Sequence, residues 1–225
     1  MTLLAIDCAT NACSAALWLD DEAGPRRYRP MRRGHAEILM PMVRSVMDEA
    51  GLAFSDLDAI AVTTGPGAFT GIRIGLAAAR GFALAANLPL VGVTTLEAVA
   101  AAHEGGTAHL LVALDSKRDD VYVQLFGPDG APLTAPASAM PDAAARLVPD
   151  GLALALAGDA AERVAAALAG RKPAPRRLDG PGLPDAAVVA RLAARRFAAS
   201  PPGPGDVPPS ALYLRQPDAV PAAER

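Results

Sequence analysis

The sequence is poor in the residues from which most catalytic and metal sites are built. It has two cysteines, Cys8 and Cys13, and three histidines, and aromatic residues make up only 4% of it. Two cysteines by themselves are too few for a structural zinc site, which takes four ligands. They suit a reducing compartment, as half-buried residues of neighbouring strands, although a cross-strand disulfide between them stays an alternative.

Signals for export, membrane insertion and general nucleic-acid binding are also weak. The opening residues MTLLAID reach a carboxylate at Asp7 before a signal-peptide core has formed. The most apolar stretch, residues 72–91, is interrupted by Arg73, Arg80 and Asn87, so we expect no membrane span. The net charge of −3 gives no general attraction to RNA. We therefore predict a cytoplasmic globular protein that meets RNA only through a partner.

What the sequence does have is a regular alternation of strand-like and helix-like segments. Apolar runs bounded by turn residues predict strands, and apolar residues at helical spacing predict helices. The predicted strands are residues 3–7, 12–19, 60–64, 89–93, 109–115, 121–126 and 152–158. The predicted helices are residues 36–50, 70–86, 94–103, 160–170 and 183–200. The arginine-rich segment GPRRYRPMRRG is expected to add a short strand at a sheet edge.

Local signals define the ends of several of these elements. Gly51 is a helix stop, and Thr94 with Glu97 has the spacing of a capping box. Pro41 should either kink the first helix or confine its regular part to the residues after it. Residues 201–209 are too rich in proline for a helix or a sheet and are predicted to be a linker. The tail that follows has enough apolar surface to dock on the body, in Leu212, Tyr213 and Leu214.

The two halves of the chain share one pattern. LLAIDCATNACSAALWLDDEAG from residue 3 and LVALDSKRDDVYVQLFGPDG from residue 111 each contain an apolar strand that ends in aspartate, a short turn and a second apolar strand. The two aspartates are Asp7 and Asp115. This repeat predicts an α/β fold of two similar lobes, each with a mixed sheet. The predicted division is an N-terminal lobe at 1–104, a C-terminal lobe at 105–200, and a linker with a docking tail at 201–225.

The stretch TTGPGAFTGIRIGLAAARGFALA, residues 63–85, runs from a strand through a glycine turn into a helix. Such a turn favours anions, because free backbone N–H groups and the helix dipole point at it. Gly65 and Gly67 are therefore candidate anion contacts. The loop lacks the lysine of a P-loop, and Thr70 stands where the dinucleotide motif needs its last glycine. No particular anion is specified by this pattern.

The helix after this loop carries a strip of small side chains. Thr70 is a candidate N-cap, and Gly71, Gly75 and Ala79 follow at intervals of four residues. Such a strip lets another helix approach closely, and helix glycines such as Gly75 and Gly81 cost about 1 kcal/mol each unless a contact compensates. Residue types favour equally packing within the chain and packing on a partner. Methionine adapts to irregular partner surfaces, and the preceding helix has Met40, Met42 and Met47.

Catalytic constellations are scarce. His35 is followed four residues later by Leu39, so no histidine pair presents two metal ligands on one helix face. No nucleophile elbow is present, and neither cysteine has an obvious histidine partner. Aspartates also end the first strands of the two lobes in actin-like ATPases, where two hairpins clamp phosphate and metal. The turns after Asp7 and Asp115 contain no glycine, so hairpin geometry is the favoured interpretation of both carboxylates.

Several motifs together resemble one known family. GPGAFTGIRIG is similar to the signature of the TsaB (YeaZ) proteins of bacteria, and four further segments occur in that family's order. These are LLAIDCATNACSAAL at the start, GHAEILMPMV at 34–43, LDSKRDDVYVQLF at 114–126 and YLRQPDA at 213–219. Two positions depart from the family's usual pattern: Ala68 replaces a serine, and Ala211 replaces a proline that often precedes YLR.

This resemblance implies a fold, a function and a set of partners. The implied fold is the bilobal actin-like ATPase (ASKHA) or RNase H-like fold. The implied function is to assist, without catalysis of its own, the TsaD-type transferase that makes threonylcarbamoyladenosine on tRNAs that read codons beginning with A. In that system TsaD holds the metal with a histidine pair, and TsaE is an accompanying ATPase. The chain is expected to form a homodimer alone, to exchange it for a heterodimer with TsaD, and to reach tRNA only in the complex.

The resemblance also implies where the partner binds. Residues of the two first-lobe helices would form the interface: His35, Leu39, Met42, Val43, Met47, Thr70, Gly71, Arg73, Ile74, Gly75, Ala78, Ala79 and Phe82. No cofactor of its own is expected, although a nucleotide at the interface of the assembled complex is an alternative. From the residues alone, the competing function is a sugar- or acetate-kinase-like phosphotransferase. A protease function would need a metal or nucleophile that the sequence does not display.

Overall fold

The computed structural model describes residues 1–203 and 206–215. Its strands are β1 Thr2–Asp7, β2 Ala12–Leu19, β3 Glu22–Pro30, β4 Ala59–Thr63, β5 Leu90–Val93, β6 His109–Asp115, β7 Val121–Phe126, β8 Ala137–Ala139, β9 Leu154–Ala157 and β10 Arg176–Arg177. Its helices are α1 His35–Ala50, α2 Phe69–Ala86, α3 Thr95–Ala101, α4 Pro141–Arg146, α5 Ala161–Ala167 and α6 Ala186–Ala199, with a 3-10 turn at Phe54–Asp56.

The strands form two five-stranded sheets with the same topology. The order in the first sheet is β3-β2-β1-β4-β5, and the order in the second is β8-β7-β6-β9-β10. In each sheet the opening hairpin and the third strand are antiparallel, and the last two strands are parallel to the first. The repeat predicted from the segments around Asp7 and Asp115 is therefore confirmed, and it extends to the whole of each sheet.

Helices cover both faces of the first sheet, which explains its composition. Strands buried on both faces carry continuous apolar runs, and Leu3, Leu4, Ala5 and Ile6 of β1 are all fully buried. Leu4 and Ile6 face α1 and α2, whereas Leu3 and Ala5 face α6. This alternation follows the two-residue period of a strand. The small residues of α6, alanine above all, let it lie close to the sheet.

The last helix of each half packs on the sheet of the other half. Leu96 and Val99 of α3 lie in a cluster with Val112 and Tyr122 of the second sheet. In the same way Val189, with Ala190 and Ala193, brings α6 against the first sheet. The division of the chain into lobes at residue 104 stays a prediction. That division assigns α6 to the C-terminal lobe, although α6 contacts the sheet of the N-terminal lobe.

Most predicted elements are found close to their expected positions. The opening hairpin, β4, β5, the β6–β7 hairpin, β9 and the helices lie within a few residues of the predicted ranges. Gly51 ends α1 in a left-handed conformation. The capping box is present, since the Thr94 hydroxyl accepts from the Glu97 N–H at 3.1 Å and the Glu97 carboxylate accepts from the Thr94 N–H at 2.9 Å.

Other expectations need correction. Regular helix is not confined to the residues after Pro41, because α1 begins at His35 and includes the proline. Thr70 is not the N-cap of α2. Ala68 is, because its backbone is extended and its carbonyl accepts the first helical hydrogen bond, from the Ile72 N–H at 2.9 Å. The Ala68 N–H donates to the carbonyl of Ala9 at 2.7 Å, which holds this end of the helix against the β1–β2 turn. The arginine-rich edge strand β3 is nine residues long, not short. The short elements β8, α4 and β10 had no sequence signal of their own.

The segment 206–215 docks beside α2, as the apolar tail residues predicted. The Leu212 N–H donates to the carbonyl of Thr64 at 2.8 Å, and the Arg80 guanidinium donates to the carbonyl of Pro209 at 2.8 Å. The described residues 201–203 and 206–209 form neither helix nor strand, as their proline content predicts, and their role as a linker stays a prediction.

The same tail also reaches the second half. Leu214 packs on the cluster that contains α3, and the Arg215 guanidinium pairs with the Asp120 carboxylate in the β6–β7 turn. The remaining residues of the YLRQPDA motif, 216–219, lie outside the described part of the chain. The tail therefore ties both sheets together along one side of the molecule.

Helix α2 is more apolar than we expected from the charged residues in its sequence. Its 18 residues have a mean hydropathy of 1.2, so by length and composition alone it would be long enough to span a membrane. The expectation counted Arg73 and Arg80 as interruptions, but two charges do not lower the mean enough. The buried side of α2, with Ile72, Leu76 and Ala83, packs on the first sheet.

Alanine substitutions at two glycines of α2, Gly71 and Gly81, should have opposite effects on stability. A Cβ at Gly81 would meet nothing within 4 Å, whereas a Cβ at Gly71 would lie under 3.0 Å from the carbonyl oxygen of Cys8. Gly81→Ala should therefore raise the free energy of unfolding by about 0.5–1 kcal/mol, because alanine favours helix. Gly71→Ala should lower it by at least as much. Urea unfolding of both variants checks the pair, and equal effects would contradict this account of the helix.

Candidate partner interface

Helices α1 and α2 lie side by side on the first sheet and turn one face outward. Leu39, Val43 and Met47 of α1 point into the core and are nearly fully buried. On the opposite side of α1, half of the Met40 side chain is exposed. We call the outward surface of the two helices the α1–α2 face.

The predicted interface residues divide into two groups. Seven of them are buried within the chain: His35, Leu39, Val43, Met47, Gly71, Gly75 and Ala79. The other six are exposed or half-buried on or beside the α1–α2 face: Met42, Thr70, Arg73, Ile74, Ala78 and Phe82. Only this second group is available for first contact with a partner, and its role in binding stays a prediction.

The strip of Gly71, Gly75 and Ala79 faces the chain's own first sheet. A Cβ at Gly75 would lie 3.5 Å from the Val62 side chain and 3.7 Å from the Cβ of Cys8. At Gly71 there is no room for a Cβ at all. The absence of side chains is thus explained by packing within the chain, which was one of the two interpretations that residue types left equal. A bulky residue at Gly75 would disturb folding and would not report on a partner.

A second strip of small residues lies on the outside of α2. Ala77, Gly81 and Ala85 also follow at intervals of four residues, and all three are exposed. Leu84 beside them is 85% exposed, the largest exposed fraction among the large apolar residues of the two helices. A helix from another protein could approach Gly81 closely, since a Cβ placed there would meet no atom of the described residues within 4 Å.

An aromatic cluster that sequence reasoning missed adjoins this strip. The Arg73 guanidinium stacks on the Phe69 ring at 3.5 Å and donates to the Tyr213 hydroxyl at 3.0 Å. The two rings lie 5.0 Å apart, and each is about two-fifths exposed. Exposed aromatic residues and arginine are the types that dominate binding energy at protein interfaces. Phe69 and Tyr213 are far apart in sequence, so no local pattern could reveal the cluster.

The glycine loop before α2 is used for contacts within the chain. A Cβ at Gly67 would lie under 3.0 Å from the carbonyl oxygen of Ala9, and Gly65 has a φ of +104°. The Gly65 carbonyl also accepts from the Thr95 N–H at 2.9 Å. These requirements account for both glycines without a ligand. Anion contact by Gly65 and Gly67 remains a prediction.

Asp7 is fully buried at the end of β1. Its Oδ1 accepts from the Thr63 hydroxyl at 2.6 Å and from the Ala9 N–H at 3.1 Å, and its Oδ2 has no partner among the described residues. Burial raises the pKa of Asp7 from 3.8 to about 7, against the lowering effect of the Thr63 and Ala9 hydrogen bonds. The hydrogen bond to Ala9, two residues on, holds the hairpin turn.

The corresponding Asp115 of the second half has the same turn but a different electrostatic setting. Its Oδ1 accepts from the Lys117 N–H at 2.8 Å, which repeats the bond from Asp7 to Ala9. Burial would raise the pKa of Asp115, but the hydrogen bonds and charge of Lys117 and the charge of Arg163 outweigh it, so the pKa is lowered. The shared turn supports the interpretation of both aspartates as determinants of hairpin geometry.

The residues near Asp7 do not fit a bound metal. The His35 Nε2 lies 3.0 Å from the carbonyl oxygen of Thr10, and Leu39, where a second histidine would be needed, is a core residue. The described residues hold no group of three or more histidine, cysteine and acidic side chains that could bind a metal ion. The buried thiols of Cys8 and Cys13 are free, with 3.6 Å between the sulfur atoms. The hydrogen bond with Cys13 and burial raise the pKa of the Cys8 thiol.

Asp7 makes stability depend on pH in a predictable direction. Because the pKa of Asp7 is raised in the folded state, its contribution to the free energy of unfolding is full below pH 3.8. That contribution is lost as the pH rises toward 7. Asp7→Asn should therefore raise the free energy of unfolding at pH 8, by up to about 4 kcal/mol, with little change at pH 4. Asp115→Asn is the matched control and should lower stability at pH 8. Chemical unfolding at both pH values checks this, and a pH-independent effect of Asp7→Asn would contradict it.

Comparison of sequences places this geometry in a known family. Residues 29–177 match the family described as TsaD: tRNA N6-adenosine threonylcarbamoyltransferase. The tRNA threonylcarbamoyladenosine biosynthesis protein TsaB of Escherichia coli (strain K12) is 41% identical over 124 residues, which cover 54% of this chain and 53% of that protein. The match thus spans about half the length of that curated relative. An uncharacterized protein of Mycobacterium tuberculosis (strain H37Rv) is 38% identical over 99% of this chain and 95% of its own length.

Solved structures agree with the sequence comparison. YeaZ from Pseudomonas aeruginosa has a TM-score of 0.75 and 34% identity, over 88% of this chain and 93% of its own. More distant is the activator of the 2-hydroxyisocaproyl-CoA dehydratase from Clostridium difficile, with a TM-score of 0.53, 11% identity, and coverage of 89% of this chain and 97% of its own. This likeness and the paired sheets confirm the expected two-lobed actin-like ATPase (ASKHA) fold. The chain therefore belongs to the TsaB/YeaZ family.

Proposed function

We propose that this chain is the non-catalytic partner and activator of a TsaD-type transferase that forms N6-threonylcarbamoyladenosine on tRNAs that read codons beginning with A. Membership of the TsaB/YeaZ family carries this proposal, because curated members of the family are named for threonylcarbamoyladenosine biosynthesis. The match to the transferase family over residues 29–177 supports descent from a common ancestor with the catalytic subunit.

The geometry around His35 supports a role without catalysis. In a metal site, the imidazole nitrogens must be free to bind the ion, with two or more further ligands nearby. Here the His35 ring is engaged by Thr10 and largely buried, and Leu39 belongs to the hydrophobic core. Replacement of these contacts by a metal would require the first lobe to repack.

The α1–α2 face supports a role in assembly. It combines a strip of small residues, an exposed leucine and the Phe69–Arg73–Tyr213 cluster on one side of the molecule. This mixture of aromatic, apolar and arginine side chains is typical of the centre of a protein interface. We propose that the face binds a second copy when the chain is alone and the transferase subunit in the complex. TsaE and tRNA would join only the complex.

Reconstitution tests the activator role directly. Transfer of labelled threonylcarbamoyl to tRNA is measured with the matching TsaD and TsaE, with and without this chain. We expect modification only when the chain is present, because the transferase needs its partner. Full modification without the chain would contradict the proposal, and ATP turnover by the isolated chain would then favour the phosphotransferase alternative.

Gly81→Leu tests the interface without disturbing the fold. A Cβ at this exposed position meets no described atom within 4 Å, and leucine favours helix over glycine, so the stability of the free chain should hold or rise slightly. Close approach of a partner helix should be blocked, with at least a tenfold loss of affinity for TsaD in calorimetry. Gly106→Leu is the control, because a Cβ there also meets no described atom within 4 Å but lies in the loop between α3 and β6, outside α1 and α2. Unchanged affinity of Gly81→Leu would exclude this part of α2 from the interface.

A further inference from the structure

The basic residues are concentrated in one segment, although the chain as a whole is acidic. Residues 25–33, PRRYRPMRR, contain five arginines and no acidic residue, in a chain whose net charge is −3. The segment forms most of β3, which is the edge strand of the first sheet, and continues into the loop before α1. It therefore lies at the surface, beside the α1–α2 face.

Two of the five arginines are tied to the body of the protein. Arg26 pairs with the Asp185 carboxylate at the start of α6. Arg27 points to the other side of the strand and donates to the Ser45 hydroxyl at 3.0 Å and to the carboxylate of Glu49. These contacts clamp the strand between α6 and α1, which keeps its backbone and the following loop in place.

The other three arginines, Arg29, Arg32 and Arg33, are exposed and have no ion pair among the described residues. The Glu37 carboxylate lies close to Gly34, at the end of the loop. We call these three residues the arginine strip. Arg29 and Arg33 are four positions apart, so their Cα atoms lie at most about 14 Å from each other.

The surroundings of the arginine strip favour nucleic acid over protein as its partner. Protein interfaces are built around apolar or aromatic anchors, and the large exposed apolar residues of the described chain all lie outside residues 22–33. Interfaces with nucleic acid are more polar and much more positively charged. Guanidinium groups also match phosphate oxygens with paired hydrogen bonds.

We propose that the arginine strip binds the sugar-phosphate backbone of RNA. That the RNA is tRNA rests on the proposed function, whereas phosphate binding rests on the strip itself. The sequence expectation that RNA is reached only through a partner came from the net charge, which averages over a surface on which the arginines are not evenly spread. Backbone contacts of this kind position an RNA without reading its sequence.

Salt-dependent binding of labelled tRNA tests the proposal. Fluorescence anisotropy is measured between 50 and 200 mM salt for the full chain and for its complex with TsaD. The variant is Arg29→Gln, Arg32→Gln and Arg33→Gln combined. Arg146→Gln, Arg176→Gln and Arg177→Gln combined give a control with the same change of charge on the second half, and thermal unfolding checks that both variants fold.

We expect the strip variant to bind tRNA at least tenfold more weakly at the lowest salt. The slope of log affinity against log salt should fall by about 2–3, because each phosphate contact contributes about 0.7–0.9. The control should stay within about twofold of the parent. Equal losses of tRNA affinity in both variants would show that net charge alone explains the effect, and this would overturn the proposal. So would unchanged tRNA affinity with weakened binding to TsaD, which would assign the strip to a protein surface.

The two proposals fail in different ways. If modification requires the chain, but the strip variant keeps the parent's tRNA affinity and the parent's KM for tRNA, the arginine strip proposal is overturned and the activator role stands. If modification proceeds without the chain, the activator role is overturned. A specific loss of RNA binding in the strip variant would then still support the arginine strip.

Discussion

The close approach of α2 to the β1–β2 turn is the contact on which the first half of the molecule depends. Gly67 and Gly71 lie so near the carbonyls of Ala9 and Cys8 that neither position has room for a Cβ. This contact sets the start of α2 and covers the hairpin turn that Asp7 holds. Once α2 is fixed in this way, its inner strip of small residues packs within the chain, and its outer strip, Ala77, Gly81 and Ala85, stays exposed.

Helices α3 and α6 each pack on the sheet of the opposite half, and this gives the two halves a common core. Each sheet is covered on one face by helices of its own half and on the other by the final helix of the opposite half. Removal of either half would therefore expose an apolar face of the other, which costs about 25 cal/mol for each Å². The tail adds a second connection, because Leu212 is bound to the first half and Arg215 to the second. The tail also reaches the α1–α2 face, because the Tyr213 hydroxyl accepts a hydrogen bond from Arg73.

The surface of the first half carries two different chemistries side by side. Apolar and aromatic side chains lie on the α1–α2 face, and exposed arginines lie on the neighbouring edge strand and in the loop after it. A protein partner on the first and an RNA backbone on the second could be bound at the same time. Such an arrangement agrees with the proposed role as a subunit that contributes binding surface to a modification complex.

The sequence by itself determined the elements, the repeat and the family. Turn residues, the capping box of Thr94 and Glu97 and apolar periodicity are local signals, and the spacing after Asp7 and Asp115 exposed the duplication without any structure. Only the tertiary structure decided which side of each element is buried. The pattern of Gly71, Gly75 and Ala79 reads the same whether a sheet or a partner covers it, and Phe69 and Tyr213 meet only because the tail folds back. Local chemistry specifies a strand or a helix, but the identity of the surface packed against it depends on residues far away in the chain.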